Sequence, residues 1–101
     1  MARARRIRLE IYESGCGKHP VGQKIKYPED AGKLCRWLLD SATSMIRVLE
    51  CGGTLTWEYK GTPYEKLIEN DGVTTEFIRC PDPTSSGVVL KVTARHIKKK
   101  N

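Results

Sequence analysis

No apolar run in this sequence approaches the ~20 residues needed to cross a bilayer, which excludes a transmembrane helix. The start of the chain is basic and lacks the apolar stretch of a secretory signal, because Ile7, Leu9 and Ile11 alternate with Arg6, Arg8 and Glu10. These absences predict a cytoplasmic protein with no membrane partner, in a compartment where thiols stay reduced. No internal repeat or low-complexity segment divides the 101 residues. They read as one domain with an ordered core over about residues 6–97 and flexible basic ends at 1–5 and 98–101. Cysteine is sparse and scattered: Cys16, Cys35, Cys51 and Cys80 stand one per segment, and no two form the short pair by which zinc sequences are recognised. Such thiols either converge in the fold or are unrelated buried side chains, and the sequence leaves both readings open.

Hydrophobic residues make up 39% and charged residues 30%, as in a globular chain able to build one modest core without obligatory disulfides or metal. The formal net charge of +6 is concentrated at the ends, in Arg3, Arg5, Arg6 and Arg8 and in Arg95, Lys98, Lys99 and Lys100. The stretch from Leu9 to Ala94 carries −2. Blocks of like charge attract polyanions, so these eight residues are the candidate contacts to nucleic acid; the same blocks also serve merely to keep a chain soluble.

Alternation of Ile7, Leu9 and Ile11 over Arg6 to Tyr12 predicts a strand with one face in the core, and Gln23 to Tyr27 predicts a short second one. From Asp30, a candidate N-cap, Ala31, Leu34, Cys35, Leu38, Ala42, Met45, Ile46 and Leu49 fall on one arc at about 100° per residue. That spacing predicts an amphipathic helix from Asp30 to Glu50, closed by Gly52-Gly53. Leu55, Trp57 and Tyr59 alternate with threonines and Glu58, as in a third strand. Thr62-Pro63-Tyr64-Glu65 has the spacing of a capping box and predicts a short second helix that stops at Asn70-Asp71-Gly72. Thr74 to Cys80 and Val88 to Ile97 predict two more strands. The order leaves little room for parallel crossovers, so the predicted fold class is α+β: a mainly antiparallel sheet of four to five strands, one long helix on one face and a short second helix.

Gly15-Cys16-Gly17-Lys18 resembles the end of a phosphate-binding loop, but Tyr12 stands where that motif needs glycine and His19 where it needs Ser or Thr, so the motif is rejected. Cys16 and His19 have the spacing of half a zinc site; Cys35 and Cys80 are the candidates to complete it. The alternative is a loop with an exposed thiol, a core Cys35 on the helix arc, and a Cys80 that plugs the end of the sheet. Cys51, at a helix C-terminus, faces a field that disfavours a thiolate. Pairing Cys16 with His19, or Cys80 with His96, for nucleophilic catalysis lacks an orienting acid or an oxyanion donor. His96 otherwise reads as a strand-end residue shielding the core, Trp37 and Trp57 as bridges between core and rim, and Asp82 as a turn former between two prolines.

Pro20-Val21-Gly22-Gln23-Lys24, Leu34-Cys35-Arg36-Trp37, Cys51-Gly52-Gly53 through Trp57, and Cys80-Pro81-Asp82-Pro83 occur in this order over about residues 6–95. Together they resemble the motifs of a family of small proteins with no assigned activity, found mainly in anaerobic bacteria and archaea. The chain departs from that pattern at His19, where the family has Cys, at Gln23, where it has His, and at Arg36, where it has Pro. The resemblance implies Cys35 and Cys80 as the matching cysteines, with His19 or Cys16 standing in for the third.

The leading expectation is a small non-enzymatic cytoplasmic domain in which Cys16, His19, Cys35 and Cys80 gather into a metal site, with zinc as the candidate ion, or into a redox-sensitive thiol site. The second is a nucleic-acid-binding module using the basic ends, and the third a cysteine-dependent enzyme.

Overall fold

The computed structural model describes residues 5–14, 20–54, 58–81 and 87–97. Its centre is a pair of strands, β1 (Arg5–Glu13) and β4 (Val89–His96), flanked by β2 (Lys24–Lys26) and β3 (Val73–Arg79) in the order β2-β1-β4-β3, every pair antiparallel. Register follows from alternation, because residues directly opposite one another share a face. Ile7 lies opposite Ala94, Ile11 opposite Leu90, and Leu9 opposite both Val92 and Ile25, so these seven apolar positions fall on one side. A bulge after Ile11 interrupts the β1–β4 ladder and sets Glu13 opposite Val89.

The helix α1 (Arg36–Glu50) covers that side with Leu38, Ala42, Ile46 and Leu49, a stripe with a spacing of three to four residues. All four are buried with Ile7, Leu9, Ile11, Leu90, Val92 and Ala94 in one cluster. The predicted helix began at Asp30, and here the structure differs. Ala31–Lys33 form a single 3₁₀ turn, Leu34 is extended at φ −76° and ψ 145°, and the α-helix starts after Cys35. Asp30 makes no side-chain cap bond and Gly32 is a poor residue for a first turn, so the helix loses little by starting later. The extended Leu34 turns its side chain into the core. The C-terminus ends as predicted: Gly52 takes φ +93°, its N–H donates to Leu49 O, and Gly53 N–H donates to Val48 O, the two bonds of a Schellman closure.

Of the predicted strand after the helix, Leu55, Thr56 and Trp57 lie outside the described residues, and Glu58 and Tyr59 belong to no strand. The predicted second helix does not form over Thr62 to Asn70. Its capping residues close a turn instead: Thr62 Oγ1 donates to Tyr59 O and accepts from Tyr64 N–H, and Glu65 accepts from Gly61 N–H. The segment then runs along the outer edge of β3. Leu67 and Glu69 donate their N–H groups to the Thr75 and Thr74 hydroxyls, and Thr75 N–H donates to Leu67 O. Backbone groups that a helix would pair internally are satisfied by the sheet edge. The described residues thus comprise a four-stranded antiparallel sheet under one long helix, an α+β fold, and no helix among them is long and apolar enough to cross a membrane.

Candidate functional site

The same alternation that buries Ile7, Leu9 and Ile11 turns Arg6 and Arg8 to the opposite face of the sheet, which α1 does not cover. Lys24 and Lys26 on β2 and Lys91 and Arg95 on β4 occupy the corresponding positions. Glu10, beside both Lys24 and Lys91, is the single carboxylate among these strand positions. Like charges stand directly opposite each other twice, Arg8 to Lys26 and Arg6 to Arg95. Among the described residues no carboxylate lies within ion-pair distance of any of these six cations. A groove of about 560 Å³ on this face is lined by Arg6, Arg8, Lys24, Lys26, Thr93 and Arg95 together with the carboxylates Glu10 and Asp30.

Of the eight cations predicted at the ends, Arg6, Arg8 and Arg95 lie on this face, and Arg3, Lys98, Lys99 and Lys100 lie outside the described residues. Arg5 has the parity of Ile7 and points the other way. Only 1% exposed, it donates to Leu49 O at 3.2 Å and Gly53 O at 2.7 Å and pairs with Glu69, so it is a structural residue rather than a surface cation. Its guanidinium sits at the C-terminal carbonyls of α1, where a positive charge is favoured. Glu69 also receives His96 Nε2 at 2.7 Å. The bond to His96 first, and that to Arg5 second, hold its carboxyl below the usual range for glutamate. His96 is a strand-end residue as predicted, and what it adds is this tie to the segment beside β3.

The predicted metal ligands are only partly within view. Cys80 is buried in the core at the end of β3, Cys35 is half-buried and packs against the same cluster, and Cys16 and His19 lie outside the described residues. Cys35, Cys51 and Cys80 form no disulfide with one another. Among the described residues no group of three or more His, Cys, Asp and Glu side chains is placed to hold a metal ion. Trp37 lies on the rim of α1, 50% exposed.

Sequence reading missed Lys24, Lys26 and Lys91. The signal was present, since Lys24-Ile25-Lys26 and Leu90-Lys91-Val92 alternate as Arg6-Ile7-Arg8 does, but counting charge along the chain hid it. It also missed an aromatic cluster at the other end of the open face. Tyr12 and Phe77 meet edge-on with ring centroids 4.8 Å apart, and Tyr64 lies 5.7 Å from Phe77. Tyr12 donates to Pro63 O and Tyr64 to Glu13 Oε2, so the two phenols pin the 58–72 segment to β1. The bond to Glu13 raises the Tyr64 pKa, because only the neutral phenol can donate it. Arg79 donates to the Tyr64 hydroxyl at 3.2 Å and stands 6.0 Å from its ring centroid.

Beneath the same segment, Lys66 Nζ donates to Glu76 Oε2 at 2.9 Å, with 0% and 2% of the two side chains exposed. Glu76 Oε1 accepts from Phe77 N–H, so the carboxylate is paired through both oxygens, as a buried charge requires. This pair is an anchor for the loop, set apart from the open face. A scan against protein-family models finds no matching family, and searches of curated proteins and of solved structures find no match, so a functional reading of this chain rests on its own geometry.

Proposed function

We propose that this chain is a nucleic-acid-binding module whose open sheet face receives the phosphate backbone. The observation that carries the reading is the set of six cations, Arg6, Arg8, Lys24, Lys26, Lys91 and Arg95, gathered opposite the helix with no carboxylate in ion-pair contact among the described residues. Placing like charges directly across a ladder is unfavourable in the unbound protein, and a polyanion relieves it. The groove offers cations from three adjacent strands, and the strands are about 4.8 Å apart. Phosphate contacts carry no sequence information, so binding through this face is insensitive to sequence. The basic ends add charge, whereas the sheet face supplies the fixed geometry.

The test compares two variants by titrating a labelled oligonucleotide at several salt concentrations. One carries Arg6→Gln, Arg8→Gln, Lys24→Gln and Lys26→Gln; the other is trimmed to residues 5–97. Each phosphate contact contributes a slope of about −0.7 to −0.9 in log affinity against log salt. The quadruple variant is therefore expected to bind far more weakly and with a slope shallower by about 3. The trimmed chain should retain most of its affinity. Full binding by the quadruple variant, with loss on trimming, would transfer the function to the ends and overturn the proposal.

A further inference from the structure

The cationic face does not end at β4. Lys91 lies directly opposite Phe77, and Phe77 opens onto a recess of about 130 Å³ lined by Tyr59, Tyr64, Phe77, Arg79 and Val89. Tyr59 is 40% exposed, with Lys66 Nζ 5.6 Å from its ring centroid, and Arg79 stands 6.0 Å from the Tyr64 ring centroid. The recess thus combines aromatic surface with a guanidinium on the face of the sheet that carries the basic groove. Phosphates and bases alternate in space in the same way along a single strand.

Resting on the reading of the open face as a nucleic-acid surface, we infer that its ligand is single-stranded, with phosphates along the Arg8–Lys26 side and an unstacked base held in the aromatic recess. A duplex cannot use the recess, because its bases are stacked on both faces and present only their edges in the grooves. An unpaired base has a free ring face, and every base has one, so stacking favours single strands without selecting a sequence. From Phe77 on β3 to Lys24 on β2 the sheet spans three strand spacings, about 14 Å, so one strand can engage recess and groove together.

The experiment measures affinity by fluorescence anisotropy for three probes of about 12 nucleotides, a length within the usual range of such sites: oligothymidine, an abasic strand with the same phosphates, and a duplex. The intact chain is expected to bind oligothymidine about tenfold more tightly than the abasic strand, the effect of one stacked base. Tyr59→Ala should remove that preference and leave the abasic affinity unchanged, and Tyr59→Phe should keep the preference. Tyr59 already has φ +55°, a backbone that alanine accepts no worse than tyrosine, so both variants should fold. Equal, salt-dependent binding of oligothymidine and the abasic strand would overturn base stacking while leaving the basic-face reading intact. Tighter binding of the duplex would overturn the single-strand assignment. No binding of any probe by the intact chain at low salt would overturn both readings.

Discussion

The two faces of this sheet are built from alternate residues of the same strands and carry opposite burdens. On one, Ile7, Leu9, Ile11, Leu90, Val92 and Ala94 meet α1 and are almost wholly removed from water. On the other, Arg6, Arg8, Lys24, Lys26 and Arg95 remain exposed, and two like-charged pairs stand directly opposite each other. Burial of apolar area stabilises the first face, whereas the cations of the second gain nothing from the like charges opposite them. Apolar burial and exposed charge are thereby separated by a period of two residues, and a one-residue slip of any strand would exchange them.

The largest effect should come from breaking the covered face. Leu38 is fully buried at the N-terminal end of the helix stripe, so Leu38→Ala removes apolar contact and leaves a cavity. The expected cost is about 2–5 kcal/mol, a large part of the roughly 5–15 kcal/mol that holds a domain of this size together. Denaturant titration measures it. A loss under about 1 kcal/mol would mean that α1 does not cover the sheet as described.

A smaller effect is expected where the covered face meets the segment beside β3. Glu69 is bonded to His96 and Arg5 and has a lowered pKa, so its carboxylate is favoured in the folded chain. The stability it contributes is present above the unfolded value, about pH 4.3 for glutamate, and is lost as pH falls through the lower folded value. Glu69→Gln should therefore reduce stability at neutral pH and flatten the acid limb of the stability profile. Tyr64 has the opposite sign: its raised pKa gives a contribution present below about pH 10 and lost as pH rises through the folded value. If the acid limbs of Glu69→Gln and the parent chain ran parallel, the His96–Glu69–Arg5 connection would have no energetic role.

The period-two pattern made much of the fold legible. It places β1 and the two C-terminal strands within a residue or two, and the helical arc picks out the residues that α1 buries. Arg5 shows what a charge count misses: its parity with Ile7 marks it as inward, but its partners are carbonyls 44 and 48 residues away, with no signature in the sequence. The Thr62 segment carried a capping box and formed no helix, since Thr74 and Thr75 on the edge of β3 compete for its backbone donors. Glu76 would not have been chosen as a core residue, because its partner Lys66 comes from that same irregular segment. The basic face was legible strand by strand and became a site only when the register set Lys24, Lys26, Lys91 and Arg95 beside Arg6 and Arg8.

The smallest effect on stability, and the sharpest contrast between the faces, should come from neutralising the open one. Arg8 and Lys26 are exposed, lie directly opposite each other and have no carboxylate in ion-pair contact among the described residues, so Arg8→Gln with Lys26→Gln removes no favourable bond. Surface changes of this kind stay within about 0.5 kcal/mol each, and here the sign should favour the variant, because like charges across a ladder repel. The gain should be largest at low salt and fade once the screening length falls below the ~5 Å between opposed residues, at about 0.4 M salt. Denaturant midpoints measured over a salt series decide it. A destabilisation beyond about 1 kcal/mol would make these cations part of the scaffold and remove the physical reason for assigning them to a ligand. A small stabilisation, together with lost affinity for oligonucleotide, is what a face held in an unfavourable charge arrangement for the sake of a polyanion must give.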